Sequence, residues 1–167
     1  MSVKIKNMKK EHCPDTRFIG KRYGEAENFG ARWGEWHCNG WFNELEKLGS
    51  FGFNDDGYMG LKRIHEGRLE YWIGMFFAAD TAVPEGYDYV DIAAMDYAVF
   101  WVCGKECSGE LTSFATHELC LDELKKQGWV RREDDWCFER YHCPRYTTPD
   151  AEGNVIVDYG ISIEDTI

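Results

Sequence analysis

The stretch WCFERYHCP, residues 136–144, sets one carboxylate, Glu139, among aromatic and sulfur-bearing side chains. If the run is a β-strand, period-two alternation sends Trp136, Phe138 and Arg140 to one face and Cys137, Glu139 and Tyr141 to the other. Glu139 then stands beside a thiol and a phenol. Ionised carboxylates are almost never fully buried without a partner, which leaves two roles for it. One is a rim carboxylate paired with Arg140 or another surface cation. The other is a counter-charge for a ligand in a cleft, where it could also act as general base toward a water molecule or stabilise developing positive charge. Tyr141, on the same face, could donate a hydrogen bond to a ligand or to Glu139, or simply pack.

The other candidate chemistry is weaker. The dipeptides His12-Cys13, His37-Cys38 and His142-Cys143, with His117-x-x-Cys120 and Cys103-x-x-x-Cys107, invite a metal reading. Zinc needs four ligands converging tetrahedrally, the paired CxxC spacing that usually supplies them is missing, and neighbours on a strand point to opposite faces. We therefore expect no metal and no cofactor. There is no GxSxG elbow and no phosphate-cradling glycine loop, and nothing supports a Cys-His nucleophile.

These residues need elements to hold them. Thr16–Gly24 reads as a strand, and residues 31–48 as a helix with Trp33, Trp36, Trp41, Leu45 and Leu48 on one stripe, despite Gly34 and Gly40. Gly49 closes it. Residues 58–64 and 69–78 form a hairpin. After a turn at Pro84-Glu85-Gly86 come strand-like runs at 87–92 and 97–103. Ser113 is an N-cap for a helix with Phe114, His117, Leu121 and Leu124 on a shared face, closed by Gly128. Residues 136–143 then pair with 155–163.

The order strand, helix, strand, strand occurs twice, at about 16–78 and 96–163 with a linker and connecting strand at 79–95, and EYWIG at 70–74 aligns with DYGIS at 158–162. The expected fold is α+β: two duplicated βαββ units in one antiparallel sheet, both helices on one face, and a central cleft at the seam of a single domain over 1–167. Tyr71 and its repeat partner Tyr159 are candidates for the two sides of that seam. Trp33 and Trp36 lie on the first helix's apolar stripe, as core or as cleft wall. Trp101 and Phe100 face opposite sides of their strand, so one of them is available to a cleft.

Composition narrows the function. Aromatic residues make up 16% of the chain, enough to line a small-molecule pocket as well as a core. With 30 acidic and 19 basic side chains the net charge is −11, and no basic block exceeds Lys9-Lys10 or Arg131-Arg132, which argues against direct nucleic-acid binding and favours cationic partners. The N-terminus shows no signal-peptide core and no run is long enough for a membrane span. Seven cysteines, an odd number, point to reduced thiols and a cytoplasmic location.

The residues YWIGMFF at 71–77, VPEGYDYVDI at 83–92, YAVFWVCG at 97–104 and FERYHCPRYTTPDAEGNVIVDY at 138–159 resemble the GyrI-like small-molecule-binding domain, also the effector-binding domain of AraC-type and MerR-type multidrug regulators. The resemblance covers about 18–163. It implies a cleft between two pseudo-symmetric βαββ halves for flat, lipophilic, often cationic compounds, with the acidic residue at the place of Glu139 facing the cleft. No helix-turn-helix fits in the first fifteen residues, so the chain resembles the standalone form.

The expected function is small-molecule binding in a cleft lined by Tyr71, Trp36, Tyr141 and Glu139, with Trp33, Trp101 and Tyr159 as further contacts. The resemblance also implies two rivals. One is a hydrolase opening strained cyclopropane rings of DNA-alkylating compounds. The other is a protein-interaction module of the gyrase-inhibitor kind, with a protein partner. The oligomeric state is left open.

Overall fold

The computed structural model of the chain describes residues 3–106 and 109–165, which places Cys107 of the Cys103-x-x-x-Cys107 spacing outside the described residues. Eight strands, β1 (Lys4–Cys13), β2 (Thr16–Gly24), β3 (Tyr58–His65), β4 (Arg68–Ala78), β5 (Asp88–Ile92), β6 (Met95–Lys105), β7 (Cys137–Tyr141) and β8 (Asn154–Ile163), form one antiparallel sheet. Their order is β1-β6-β8-β7-β3-β4-β2-β5. Exchanging β1 with β5, β2 with β6, β3 with β7 and β4 with β8 returns the same order read from the opposite edge. The seam of this arrangement is the β3–β7 pair, and each edge strand lies beside the other half, β1 on β6 and β5 on β2.

The sequence thus led to the right α+β class and sheet, with three differences. Strand β1 was not foreseen, because KIKNMKKEHC is a polar edge strand with one side in water and little apolar alternation to reveal it. The helix expected over 31–48 is two helices, α1 (Phe29–Cys38) and α2 (Trp41–Glu46), broken where Gly40 takes a left-handed φ of 67°. The third helix, α3 (Phe114–Lys126), starts as expected, with the Ser113 hydroxyl accepting from the Thr116 N–H. Its inward residues, however, are Thr116, Cys120 and Leu124, while Phe114 is 77% exposed. None of the helices among the described residues is long and apolar enough to cross a membrane.

Directly paired residues of an antiparallel sheet share a face. Ile73 pairs with Gly60, Gly60 with Glu139, and Glu139 with Tyr159, so the alternate residues Tyr71, Ile73, Met75 and Phe77 of β4 lie on the same side as Val157, Tyr159 and Ile161 of β8. Trp36, Phe42 and Leu45 of α1 and α2 pack on the first set, and Cys120 and Leu124 of α3 on the second. All three helices therefore cover one face. On the other, Phe18 of β2 and Tyr97 and Val99 of β6 join a single cluster with Leu61, Trp72, Phe76 and Phe138, so the sheet curls around its own apolar inner face. Each of these large side chains, once fully buried, contributes about 1.5–3 kcal/mol.

Candidate functional site

The helices leave the seam open between them. A cavity of about 460 Å³ lies there, lined by Phe29, Gly30 and Trp33 from α1, Lys62 from β3, Leu69 and Tyr71 from β4, Thr112 before α3, and Glu139 and Tyr141 from β7. Glu139 sits in its floor with 7% of its surface exposed. The Tyr71 hydroxyl donates to Glu139 Oε1, and Trp33 Nε1 donates at 2.9 Å to the Tyr71 oxygen, giving a relay from indole to phenol to carboxylate. Phe29 stacks on Tyr71 with ring centroids 4.2 Å apart, and Trp33 meets Tyr141 edge-on at 5.0 Å.

Gly60 makes this packing feasible. It is the cross-strand partner of Glu139, and a Cβ there would lie 2.5 Å from both Glu139 Oε1 and the Tyr71 oxygen. Only a residue without a side chain leaves room for the carboxylate and phenol to lie on the sheet.

Burial, reinforced by the neighbouring Glu139 charge, raises the pKa of Tyr71 and of Tyr141 well above the ordinary phenol value, so both stay protonated donors. Two cations are near: Lys62 lines the same cavity, and Arg140 is turned away from it. Arg140, next in sequence, points to the opposite face and pairs with Asp158 at 2.7 Å and Glu11 at 2.9 Å. Among the described residues no lysine or arginine forms an ion pair with Glu139. The arrangement is a desolvated carboxylate, held by a neutral donor, between aromatic walls. Such a site attracts a delocalised cation by charge and by cation–π contact.

No family model and no curated protein matches the sequence. Solved structures do match. The chain is similar to SAV2435 bound to tetraphenylphosphonium, at 15% identity and a TM-score of 0.68 over 95% of this chain and 94% of that one. It is similar to the EcmrR C-terminal domain at 9% identity and a TM-score of 0.61, covering 96% and 98%. A hydrolase encoded by lin2189 from Listeria innocua shares 8% identity at a TM-score of 0.53, covering 96% and 93%. The likeness is one of fold.

Of the residues singled out from the sequence, Glu139, Tyr71, Tyr141 and Trp33 come together in the cleft. Tyr159 is the cross-strand neighbour of Glu139 but lies under α3, 1% exposed, its hydroxyl 2.6 Å from His117 Nδ1. Trp36 does not line the cleft. It is fully buried against Trp41 and Phe42, with its indole N–H on the Tyr23 hydroxyl, because the helical stripe that carries it faces β4. Trp101 also lies elsewhere, on the face away from the helices with the Arg145 guanidinium 4.4 Å above its ring. Sequence reasoning missed Phe29, Lys62 and Gly60. An isolated glycine within a strand is a signal of close approach, so Gly60 was within reach, whereas nothing local marks Phe29 or Lys62. Among the described residues no group of three or more His, Cys, Asp and Glu could hold a metal ion.

Proposed function

We propose that this protein binds aromatic, lipophilic cations in the seam cleft, as a small-molecule-binding domain of the GyrI-like type. The observation that carries the reading is Glu139: a buried carboxylate with a tyrosine donor, aromatic neighbours and no ion-pair partner among the described residues. Leaving a charge so placed costs stability unless a ligand compensates it. The fold it shares with SAV2435, whose structure holds tetraphenylphosphonium, supports the choice of a phosphonium as probe. Trp33 in the cleft wall provides the signal. Titration with tetraphenylphosphonium is expected to quench tryptophan fluorescence, and Glu139→Gln to weaken binding at least tenfold, about 1.4 kcal/mol. Equal affinity of both proteins, or no quenching, refutes the reading.

One observation favours a second reading, a hydrolase of strained-ring alkylators. The Trp33–Tyr71–Glu139 relay sets a proton acceptor beside a fixed donor. Glu139 would take a proton from a water whose oxygen bonds to the ring carbon, and the electron pair of the broken carbon–carbon bond would pass to the substrate's conjugated carbonyl. A gain of one water in the mass of a cyclopropane-bearing compound, abolished by Glu139→Gln, supports it; an unchanged compound removes it.

A further inference from the structure

Lys62 belongs to two hollows. Beyond it, the cleft meets a second cavity of about 420 Å³ that shares Lys62, Leu69 and Thr112 with the first and adds His117, Arg131 and Phe114. Lys62 pairs across the seam with Cys137, one two-residue step from the Gly60–Glu139 pair, so the backbone positions that carry the two charges are offset by about 7 Å along the strands.

The second cavity has the opposite electrostatic character. Its floor holds Lys62, whose Nζ lies 5.1 Å over the Tyr159 ring, and Arg131, whose buried Nε has no hydrogen-bond partner among the described residues. Neither forms an ion pair among the described residues. The other charged groups lining it are accounted for: Arg63 pairs with Glu70, Asp135 with Arg132, and Glu118 and Asp134 are exposed at the rim. Burial and the fields of Lys62 and Arg131 together hold His117 down at about 4, so at neutral pH it is uncharged and adds no charge of its own to the hollow. In a chain of net charge −11, two unmatched cations in a half-buried hollow call for an anion.

We infer that the cavity beyond Lys62 is a second subsite for an anionic group, so that the ligand is amphoteric: an aromatic cation over Glu139 joined to a carboxylate held by Lys62 and Arg131. Phe114, exposed at the rim, offers apolar surface to the body linking the two groups. This rests on the cleft reading given under Proposed function, and it predicts selectivity that a purely cation-binding cleft lacks.

Rhodamine B carries a xanthylium cation and a benzoate, and its ethyl ester keeps the cation alone. Fluorescence anisotropy titrations of both dyes with the full chain test the inference. The acid is expected to bind about tenfold more tightly than the ester, the value of a charge-assisted hydrogen-bonded pair. Arg131→Gln and Lys62→Met are each expected to bring the acid down to parity, with ester affinity in Arg131→Gln within about twofold of the parent as the control for folding. Parity of acid and ester in the parent overturns the inference alone when ester binding still falls with Glu139→Gln, and so does an acid preference that survives both substitutions. Failure of the ester to bind, or ester binding indifferent to Glu139, overturns the cleft reading and this inference with it.

Discussion

Glu139 and Arg140 are neighbours on β7, both buried, and the protein treats them in opposite ways. On the curled inner face Arg140 is fully enclosed. It is satisfied by Asp158, by both oxygens of Glu11 and by the Phe53 carbonyl at 3.0 Å, with Arg145 closing the network on Asp158 at 2.6 Å. On the helix-covered face Glu139 has the Tyr71 hydroxyl and, among the described residues, no ion-pair partner. The first charge fastens the edge strand β1 to β7 and β8. The second stands at a place where the two helices part. Burial of a charge is thus not one phenomenon: where the structure supplies the counter-ion the group is architectural, and where it supplies walls and a neutral donor the reading we propose has it held ready for a ligand.

Substitutions at these residues test the contrast. Arg140→Met leaves Asp158 and Glu11 without their shared partner and is expected to cost about 3 kcal/mol in urea unfolding. Glu139→Gln keeps an acceptor for Tyr71 and should cost less than about 1 kcal/mol, or nothing. If the two substitutions cost the same, Glu139 is architectural and the contrast collapses. Gly60→Ala presses a methyl against Glu139 and Tyr71 and is expected to destabilise by about 1–3 kcal/mol while weakening cation binding, both read from one preparation by unfolding and by fluorescence titration. Unchanged binding would mean that the carboxylate need not lie where the structure holds it.

The smallest effect is in pH dependence. His117 has its folded pKa lowered to about 4 from an ordinary 6.5, chiefly by burial. Between these values the unfolded chain binds the proton more readily than the folded one, so this contribution to stability is complete above about 6.5 and is lost as pH falls toward 4. His117→Gln should flatten the stability profile in that window, and an unaltered slope would show that the imidazole is not held neutral beside Lys62 and Arg131.

Much of the architecture was legible in the sequence because the strands of each half carry period-two patterns and sharp turn signals. Thr16–Gly24 matches its observed bounds, and the Ser113 cap is where the spacing put it. Strand β1 was not legible, since an edge strand with a polar outer face has no pattern to distinguish it from a loop. The break at Gly40 was signalled by the glycine but overruled by the run of tryptophans. In the cleft, alternation alone put Glu139 and Tyr141 opposite Arg140. It could not say which aromatic residues of the first helix face the seam, because that depends on how α1 rotates against β4. Trp33 therefore reaches Tyr71 while Trp36, three residues on, enters the core. Lys62 and Phe29 become cleft residues through the β3–β7 register and the entry of α1, neither of which is a local property.

The central claim is that the Glu139 charge is reserved for a cationic ligand. The direct measurement is calorimetric titration of the protein and of Glu139→Gln with tetraphenylphosphonium and with the neutral triphenylphosphine oxide. The account predicts that the protein prefers the cation by tenfold or more and that Glu139→Gln removes this preference while leaving the neutral compound's affinity within about twofold. A preference for the cation that persists in Glu139→Gln, or equal loss of both compounds, contradicts it.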